Sequence, residues 1–448
     1  VVVGAGFAGL TAAIVLQERR HQVLLLERRG VLGGRATSFR DAATGDEVDN
    51  GTHVMVGAYV ATLDLLRRAG AEDLLRAQDE LRLDYVDDRG FTSLVCPPLP
   101  APLHLLAGLL RLRLPWRARW DALRLGLTVR FGAAPRGLTL AEYFHATRQS
   151  EAARRLLWDP LATAILNETP ERAAAVLFHR VYQEAFLAGH RASRLVFLRC
   201  GFGVLHERLA GYFAGRGGRL ARRARAEAVR LEDGRATGVR YRQSPESREE
   251  VREGRVGRDE LAAADAVVLA TTPRGVAGLL PEAVAAAPPF AQLAGLGSSP
   301  IVSVELWLDR VVVHRPMLGL RDCEMEWVFD KGRLFGRPGA PQHLAFIVSA
   351  ARRAAPRPNA ELVASAEAAL RRYFPAMGAA RVQRALVLRE PDATFASDPA
   401  AEALRPQVKT PVPALYLAGD WTATGLPATI EGAVRSGFAA AAAVERGG

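Results

Sequence analysis

The chain has 448 residues, 49% of them hydrophobic and 24% charged, the balance of a folded globular protein of two or three domains. That excludes a disordered tail, a fibrous rod and a small disulfide-stapled scaffold. The 59 basic and 48 acidic residues leave a net charge of +11, and only two of the cations, Lys331 and Lys409, are lysine. So arginine- and alanine-rich a composition is explained more simply by a GC-rich genome than by a nucleic-acid face. No helix-turn-helix, zinc-finger or aromatic RNA-binding signature accompanies it, so no nucleic-acid partner is expected.

The first elements read strand, tight turn, helix, strand: Val1–Val3, then Gly4-Ala5-Gly6-Phe7-Ala8-Gly9, then Leu10–Arg20, then Val23–Leu26. The chain opens on Val1 rather than Met, so a few residues are expected ahead of it. Its longest uncharged run, Val1–Gln17, is too short for a membrane span and is broken by three glycines. No transmembrane helix is expected, and a cytoplasmic location is.

Gly4-x-Gly6-x-x-Gly9 sits where a dinucleotide-binding turn belongs, after a strand and opening a helix. Gly4 permits the turn, Gly6 lets backbone approach a pyrophosphate, and Gly9 lets helix and strand pack closely. The helix N-terminus offers free N–H groups to a diphosphate. Glu27 ends the next strand, 18 residues after Gly9, where a carboxylate accepts bonds from ribose hydroxyls and opposes a 2′-phosphate. A second turn follows at once: Arg28-Arg29-Gly30-Val31-Leu32-Gly33-Gly34-Arg35.

Further along, Leu63 to about Phe197 reads as mostly helical. Within it, Pro97–Phe131 carries Leu103, Leu105, Leu106, Leu109, Leu110, Leu112, Leu114, Trp116 and Trp120 among Arg111, Arg113, Arg117 and Arg119. Such a stretch either lies in a membrane interface or covers the protein's own core. Arg240–Asp265, with Ser244-Pro245-Glu246-Ser247, reads as a solvated hairpin loop. Ala266–Ala270 and Ala414–Ala418 are short apolar runs ending in turn chemistry, as strands of a covered parallel sheet are. Between them, Ile301–Leu308 and Leu344–Ser349 read as strands and Asn359–Phe374 as a helix.

The fold class expected is therefore α/β: a discontinuous Rossmann-like domain (1–62, 198–300 and 389–448) with an inserted α+β substrate domain (63–197 and 301–388). The cysteines Cys96, Cys200 and Cys323 form no CxxC, so a zinc site is not expected and a reducing compartment is.

The second Gly-Gly-Arg turn resembles the extended FAD fingerprint of the flavin amine oxidase and phytoene desaturase superfamily. The C-terminal run Gly419-Asp420-Trp421-Thr422-Ala423-Thr424-Gly425-Leu426-Pro427-Ala428-Thr429-Ile430-Glu431-Gly432 looks like its second FAD motif. Together with Asp49-Asn50-Gly51-x-His53-x-x-x-Gly57-Ala58-Tyr59 and Asp159 to Pro170, it resembles the hydroxysqualene dehydroxylase family over most of the chain. The resemblance implies noncovalent FAD and replacement of an allylic hydroxyl by hydrogen on a long isoprenoid. An isoprenoid desaturase, a flavin amine oxidase and a flavin-free prenyl-protein carrier are the rivals.

By resemblance the cofactor contacts are Gly4, Gly6, Phe7, Ala8, Gly9, Glu27, Arg28, Gly33, Gly34, Arg35, Gly51, Thr52, His53, Val229, Gly419, Asp420, Pro427, Thr429, Ile430 and Ala433. Amides from Thr429 to Ala433 are expected to face the flavin's pyrimidine edge, and the strand around Val229 to clasp adenine. Candidate proton donors are His53 and Glu168, then Tyr182 and Tyr59. Asn167 either orients water or caps a turn, and Trp158, Phe178, Phe186 and Trp327 are candidates to line an apolar channel.

Overall fold

The protein is described by a computed structural model covering residues 1–245 and 257–447. Five parallel strands form the first sheet, in the order Arg219–Arg222, Leu24–Glu27, Val2–Val3, Val267–Leu269, Leu415–Leu417. Strand residues alternate between two cores. Val2, Leu25, Val268 and Tyr416 meet the helices Phe7–Glu18, Phe202–Ala214 and Ile430–Gly447. Val3, Leu26, Leu269 and Leu417 meet a three-stranded antiparallel sheet (Ala224–Glu232, Arg235–Gln243, Arg258–Ala263) and Phe290, Leu293 and Leu296. Both faces are covered, which is why these strands carry no polar alternation.

The first helix begins at Phe7, three residues earlier than its hydrophobic pattern suggests, because Gly6 is its N-cap. It stops at Glu18, and Arg20 adopts a left-handed φ of 67° that a helix cannot continue through. Leu10, Ala12, Ala13 and Ile14 are wholly buried. Cutting Leu10 or Ile14 to Ala costs about 2–5 kcal/mol at such sites. The C-terminal helix lies directly on this one. A Cβ at Gly437 would stand 2.4 Å from the Ala8 carbonyl oxygen.

The second sheet has seven strands, in the order Val382–Thr394, Ser299–Leu308, Gln342–Val348, Trp327–Asp330, Met317–Leu320, Leu81–Asp87, Gly90–Cys96. One face carries Val302, Val304, Leu306 and Phe346 under the helix Asn359–Tyr373. On the other, Trp327, Phe329, Ala345 and Ile347 face the helices between Leu103 and Ser193. Two of those helices contain π-helical turns, Arg154–Trp158 and Tyr182–Phe186.

Three expectations need correction. Leu63–Phe197 is not mostly helical at its start, because Leu81–Cys96 is a β-hairpin whose buried Leu81, Leu83, Tyr85, Leu94 and Cys96 alternate with more exposed residues. The expected boundary at 388/389 falls inside the strand Val382–Thr394. The ends of Arg240–Asp265 are strand rather than loop, with Gln243 paired to Arg258, while Glu246 and Ser247 lie outside the described residues.

Pro97–Phe131 folds as two helices, Leu103–Arg111 and Trp116–Phe131, separated at Pro115. Each has two apolar faces. Leu109, Ala118, Ala122, Leu125 and Val129 are buried, whereas Leu103, Leu110, Trp116, Trp120, Leu127 and Phe131 are each more than half exposed. No helix among the described residues is long and apolar enough to cross a membrane.

Candidate active site

Two glycine turns meet at the C-terminal ends of the first two strands. The Gly4 amide donates to Leu26 O at 2.8 Å, and with φ at +103° a Cβ there would lie 2.6 Å from Ala270 O. Gly9 packs closer still, since a Cβ would reach within 1.8 Å of Gly4 O. Gly33 donates to Ala5 O at 2.9 Å, which lays the second turn against the first. At their contact, the Cβ that Gly6 lacks would stand 3.7 Å from Gly34 Cα. The result is a cradle of bare backbone at a helix N-terminus, with the Phe7 and Ala8 amides bonded to no acceptor among the described residues. A diphosphate fits that donor set.

Glu27 locks the cradle. Its two oxygens accept the Ala5 and Arg29 amides, each at 2.9 Å, and it is 5% exposed. Each oxygen keeps a further lone pair, so the carboxylate can also receive a hydroxyl. Arg29 adds a bond from its guanidinium to Gly34 O at 2.6 Å, whereas Arg28 points to solvent without a partner among the described residues.

The C-terminal motif closes the site from 385 positions away. Arg35 pairs with buried Asp420, and Gly419 N–H donates to Ser436 Oγ at 2.8 Å. Thr429 caps the last helix, its Oγ1 accepting the Gly432 amide at 3.0 Å and its carbonyl the Ala433 amide at 3.0 Å. The Thr429, Ile430 and Glu431 amides have no acceptor among the described residues, whereas the Gly432 and Ala433 amides of the expected span are used in the cap. Pro427 lies in the loop just before this cap, and its carbonyl accepts Thr429 Oγ1–H at 3.2 Å.

Glu431 has a role that the sequence reading missed. Its carboxylate turns aside to accept Ala61 N–H (3.0 Å), Thr62 N–H (2.9 Å), Thr62 Oγ1–H (2.7 Å) and Arg435 Nε–H (2.8 Å). Tyr59 sits beside it and beside the Thr429 hydroxyl. Burial and the Glu431 charge push its phenol well above the ordinary tyrosine range.

His53 lies in the loop after Asp49, with Gly51 and Thr52. Its ring meets Phe202 edge-on at 5.1 Å, and its Nε2 is buried without a hydrogen-bond partner among the described residues. Burial holds its pKa below the usual value; Asp49 opposes that, and Lys331 and Arg35 reinforce it. The imidazole is thus neutral at neutral pH, a donor or acceptor rather than a ready imidazolium acid. Lys331, which the sequence places in no motif, is buried here and donates to Asp49 Oδ2 at 2.5 Å. Asp49 Oδ1 in turn accepts the Phe202 amide at 3.1 Å.

Other sequence candidates lie elsewhere. Glu168 is wholly buried, and both oxygens face guanidinium groups: Arg352 contacts both, Arg172 reaches Oε2 at 3.3 Å, and Ser299 Oγ lies 3.4 Å from Oε1. It is not joined to the glycine cradle. Asn167 caps the helix Asp159–Leu166 with φ at +49°, its amide donating to Ser299 O and Thr394 Oγ1 and its oxygen accepting Ala350 N–H. Val229 donates its amide to Leu279 O at 2.7 Å and pairs with Val239, so that donor is not free to clasp adenine. Trp158, Phe178, Tyr182 and Phe186 form one buried aromatic column with centroids 5.6–6.2 Å apart. Trp327 packs separately on Tyr85 at 5.6 Å.

A surface cleft of about 520 Å³ opens between Arg76–Asp79 and Arg333–Pro338, lined by no residue of either glycine turn or of the C-terminal motif. Among the described residues no three His, Cys, Asp or Glu side chains are grouped to hold a metal ion.

A parallel sheet that ends in two stacked glycine turns, closed by a second helix N-terminus from the far end of the chain, defines a dinucleotide-dependent oxidoreductase. The chain belongs to the flavin-containing amine oxidoreductase family, whose model matches residues 7–445, and its cofactor is a flavin. It is 32% identical over 457 residues to a hydroxysqualene dehydroxylase of Sinorhizobium fredii, covering 98% of this chain and 96% of that one. A hydroxysqualene dehydroxylase of Rhodopseudomonas palustris is 31% identical over 464 residues, again covering 98% and 96%. A 15-cis-phytoene desaturase of Synechococcus elongatus is 25% identical over 468 residues, covering 99% and 95%. Among solved structures, an oxidoreductase from Methanosarcina mazei superposes with a TM-score of 0.74 at 18% identity, covering 98% of both chains, a likeness of fold alone.

Proposed function

We propose that the chain binds FAD noncovalently and reduces hydroxysqualene to squalene at a membrane surface on the cytoplasmic side. The observation that carries this reading is full-length similarity at 32% identity to a hydroxysqualene dehydroxylase, together with both glycine turns and the Thr429 cap in place. In this reaction the allylic C–O bond breaks, a hydride forms the new C–H bond, and a proton accompanies the oxygen out as water. Bound FAD, in its reduced form, supplies the hydride.

The residues divide the remaining work. Backbone of Gly4–Gly9 and Gly33–Gly34 receives the diphosphate, Glu27 the ribose, and Asp420, fixed by Arg35, the ribityl or diphosphate end of the flavin half. The Ile430 and Glu431 amides end a helix dipole that favours negative charge on the adjoining ring. His53 presents an unpartnered Nε2 beside the Asp49–Lys331 pair, and we assign it the hydrogen bond to the departing oxygen. Noncovalent binding is supported by Cys200, whose thiol lies among the carboxylates Glu47, Asp49 and Asp73. Burial and the surrounding carboxylates push its thiol up to about 11, which leaves it a poor nucleophile.

The outward apolar faces of Leu103–Arg111 and Trp116–Phe131 supply the membrane contact. Trp116 and Trp120 meet edge-on at 5.8 Å on the exposed side, with arginines flanking them. A substrate dissolved in lipid then reaches the enzyme without crossing water.

Anaerobic incubation of the reduced holoenzyme with hydroxysqualene tests the reading. Squalene is the expected product. Recovery of unchanged alcohol, with phytoene dehydrogenated by the oxidised holoenzyme instead, would establish the isoprenoid desaturase.

A further inference from the structure

We infer that Arg405 is a positioning residue for the flavin site, acting through the loop Asp420–Leu426 that carries Asp420 and leads to the helix cap at Thr429. Arg405 follows the short helix Pro399–Leu404, and its side chain has no solvent exposure. Its guanidinium donates from Nε to Thr422 O at 2.9 Å and from Nη1 to Leu426 O at 2.8 Å. From Nη2 it reaches Asp420 O at 2.9 Å, Thr422 O at 2.5 Å and Thr424 Oγ1 at 2.7 Å. Glu402, its one carboxylate partner among the described residues, takes the remaining Nη1 donor at 2.7 Å. Phe395 covers the cation, with its centroid 4.8 Å away.

A buried guanidinium is tolerated only when its donors are satisfied, and here all five N–H groups are spent inside the protein. Three of the acceptors are backbone carbonyls of one irregular loop, which has neither helix nor strand to satisfy them. The next residue grips the same loop, since Pro406 O accepts the Ala423 amide at 2.8 Å. Arg405 therefore replaces the secondary structure that the loop lacks, and a planar fork does this where an ammonium cannot.

The consequence falls on Asp420. Arg35 holds its carboxylate and Arg405 holds its carbonyl, so its peptide plane and its side chain are set by different arginines. Without Arg405 the loop keeps its sequence but loses its shape, and Asp420 moves off the second glycine turn. Arg405 keeps no donor for a ligand, so its effect on the flavin is wholly indirect.

The inference rests on the flavin-binding reading, and the two are separable. The full-length protein is stripped of flavin and titrated with FAD, following flavin fluorescence, the visible circular dichroism of the bound flavin and the urea unfolding midpoint. Arg405→Lys and Arg405→Ala are expected to lose at least tenfold in FAD affinity and to alter the visible dichroism. Thr424→Val, which removes a single acceptor, should lose about threefold. Millimolar guanidinium should restore FAD affinity to Arg405→Ala, and the same concentration of ammonium should not. Wild-type dichroism and affinity in Arg405→Lys and Thr424→Val, whatever their unfolding midpoints, would overturn the inference. If the wild type itself takes up no FAD, the cofactor reading fails instead.

Discussion

Glu431 and Thr62, 369 positions apart, are joined by two hydrogen bonds: one carboxylate oxygen accepts both the amide and the hydroxyl of Thr62. A side chain at the start of the last helix thus caps the helix Val60–Arg68, which has no side-chain cap of its own. The two helix starts cannot move independently. Glu431→Gln keeps the shape and removes the charge, and charge-assisted bonds of this kind contribute about 1.5–3 kcal/mol. The urea midpoint should fall by a corresponding amount, and FAD should bind more weakly because the Thr429 cap is released with it. A variant with the wild-type midpoint would show the cap to be dispensable.

Glu27 carries more than the ribose contact expected of it. Replacing it with Ala frees the Ala5 and Arg29 amides and loosens both glycine turns at once. Loss of charge-assisted bonds worth about 1.5–3 kcal/mol predicts a ten- to hundredfold weaker FAD complex. Fluorescence titration of the flavin-free protein measures it; an unchanged affinity would mean that the carboxylate serves the turns alone.

His206 sets a pH dependence of stability. It is wholly buried against Phe7 and beside Gly33, with Nδ1 bonded to Phe202 O at 2.7 Å and Nε2 without a partner. Burial lowers its pKa from 6.5 to about 4. Above pH 6.5 folded and unfolded chains are both neutral at this residue. Between 6.5 and 4 only the unfolded chain takes up the proton, so stability falls as the pH falls. By pH 5 the loss is about 2 kcal/mol. Urea unfolding at pH 7 and pH 5 should show a smaller acid loss in His206→Gln than in the wild type, and equal losses would rule His206 out as the source.

What was legible in the sequence follows from range. Gly4, Gly6, Gly9, Gly33 and Gly34 announce themselves because backbone turns are local chemistry, and each lies where its motif puts it. The hairpin Leu81–Cys96 was readable too: its buried residues alternate with period two around Asp87-Asp88-Arg89-Gly90, a signal submerged in a stretch dominated by helix formers. The edge strand Arg219–Arg222 was not, since two arginines and a partner on one side only leave no apolar run. Lys331 with Asp49, and Arg405 with its loop, were invisible for a different reason. Their meaning lies in contacts across 282 residues, or in carbonyls that have no side-chain identity.

The helices of Pro97–Phe131 separate two residues that the sequence sets side by side. Leu109 is buried against the core, and Leu110 is 53% exposed. A membrane test must therefore alter the outward face alone. Leu110→Asp combined with Trp116→Asp should abolish cosedimentation with anionic vesicles while leaving the urea midpoint and FAD affinity as in the wild type. Leu109→Asp should unfold the protein instead. If the outward double variant sediments like the wild type, the apolar face meets something other than lipid.

Glu168 and His53 began as rival proton donors, and their surroundings predict different failures. Glu168→Gln leaves Arg352 and Arg172 facing a neutral amide within a buried lock on Ser299, at a cost of about 2 kcal/mol. That change should lower the unfolding midpoint and leave turnover per bound flavin untouched, because no bond of the Glu168 carboxylate reaches a residue of the glycine cradle. His53→Ala removes an unpartnered imidazole and should spare the fold. Acid–base assistance contributes roughly 10²–10⁴-fold, and a neutral imidazole that only hydrogen-bonds the leaving oxygen belongs at the lower end, so turnover per bound flavin should drop about a hundredfold. His53→Gln, which keeps an N–H donor, should recover part of the loss. If His53→Ala turns over hydroxysqualene at the wild-type rate, the departing oxygen takes its hydrogen bond from another group, and Tyr59, beside Thr429 and Glu431, is the next to replace.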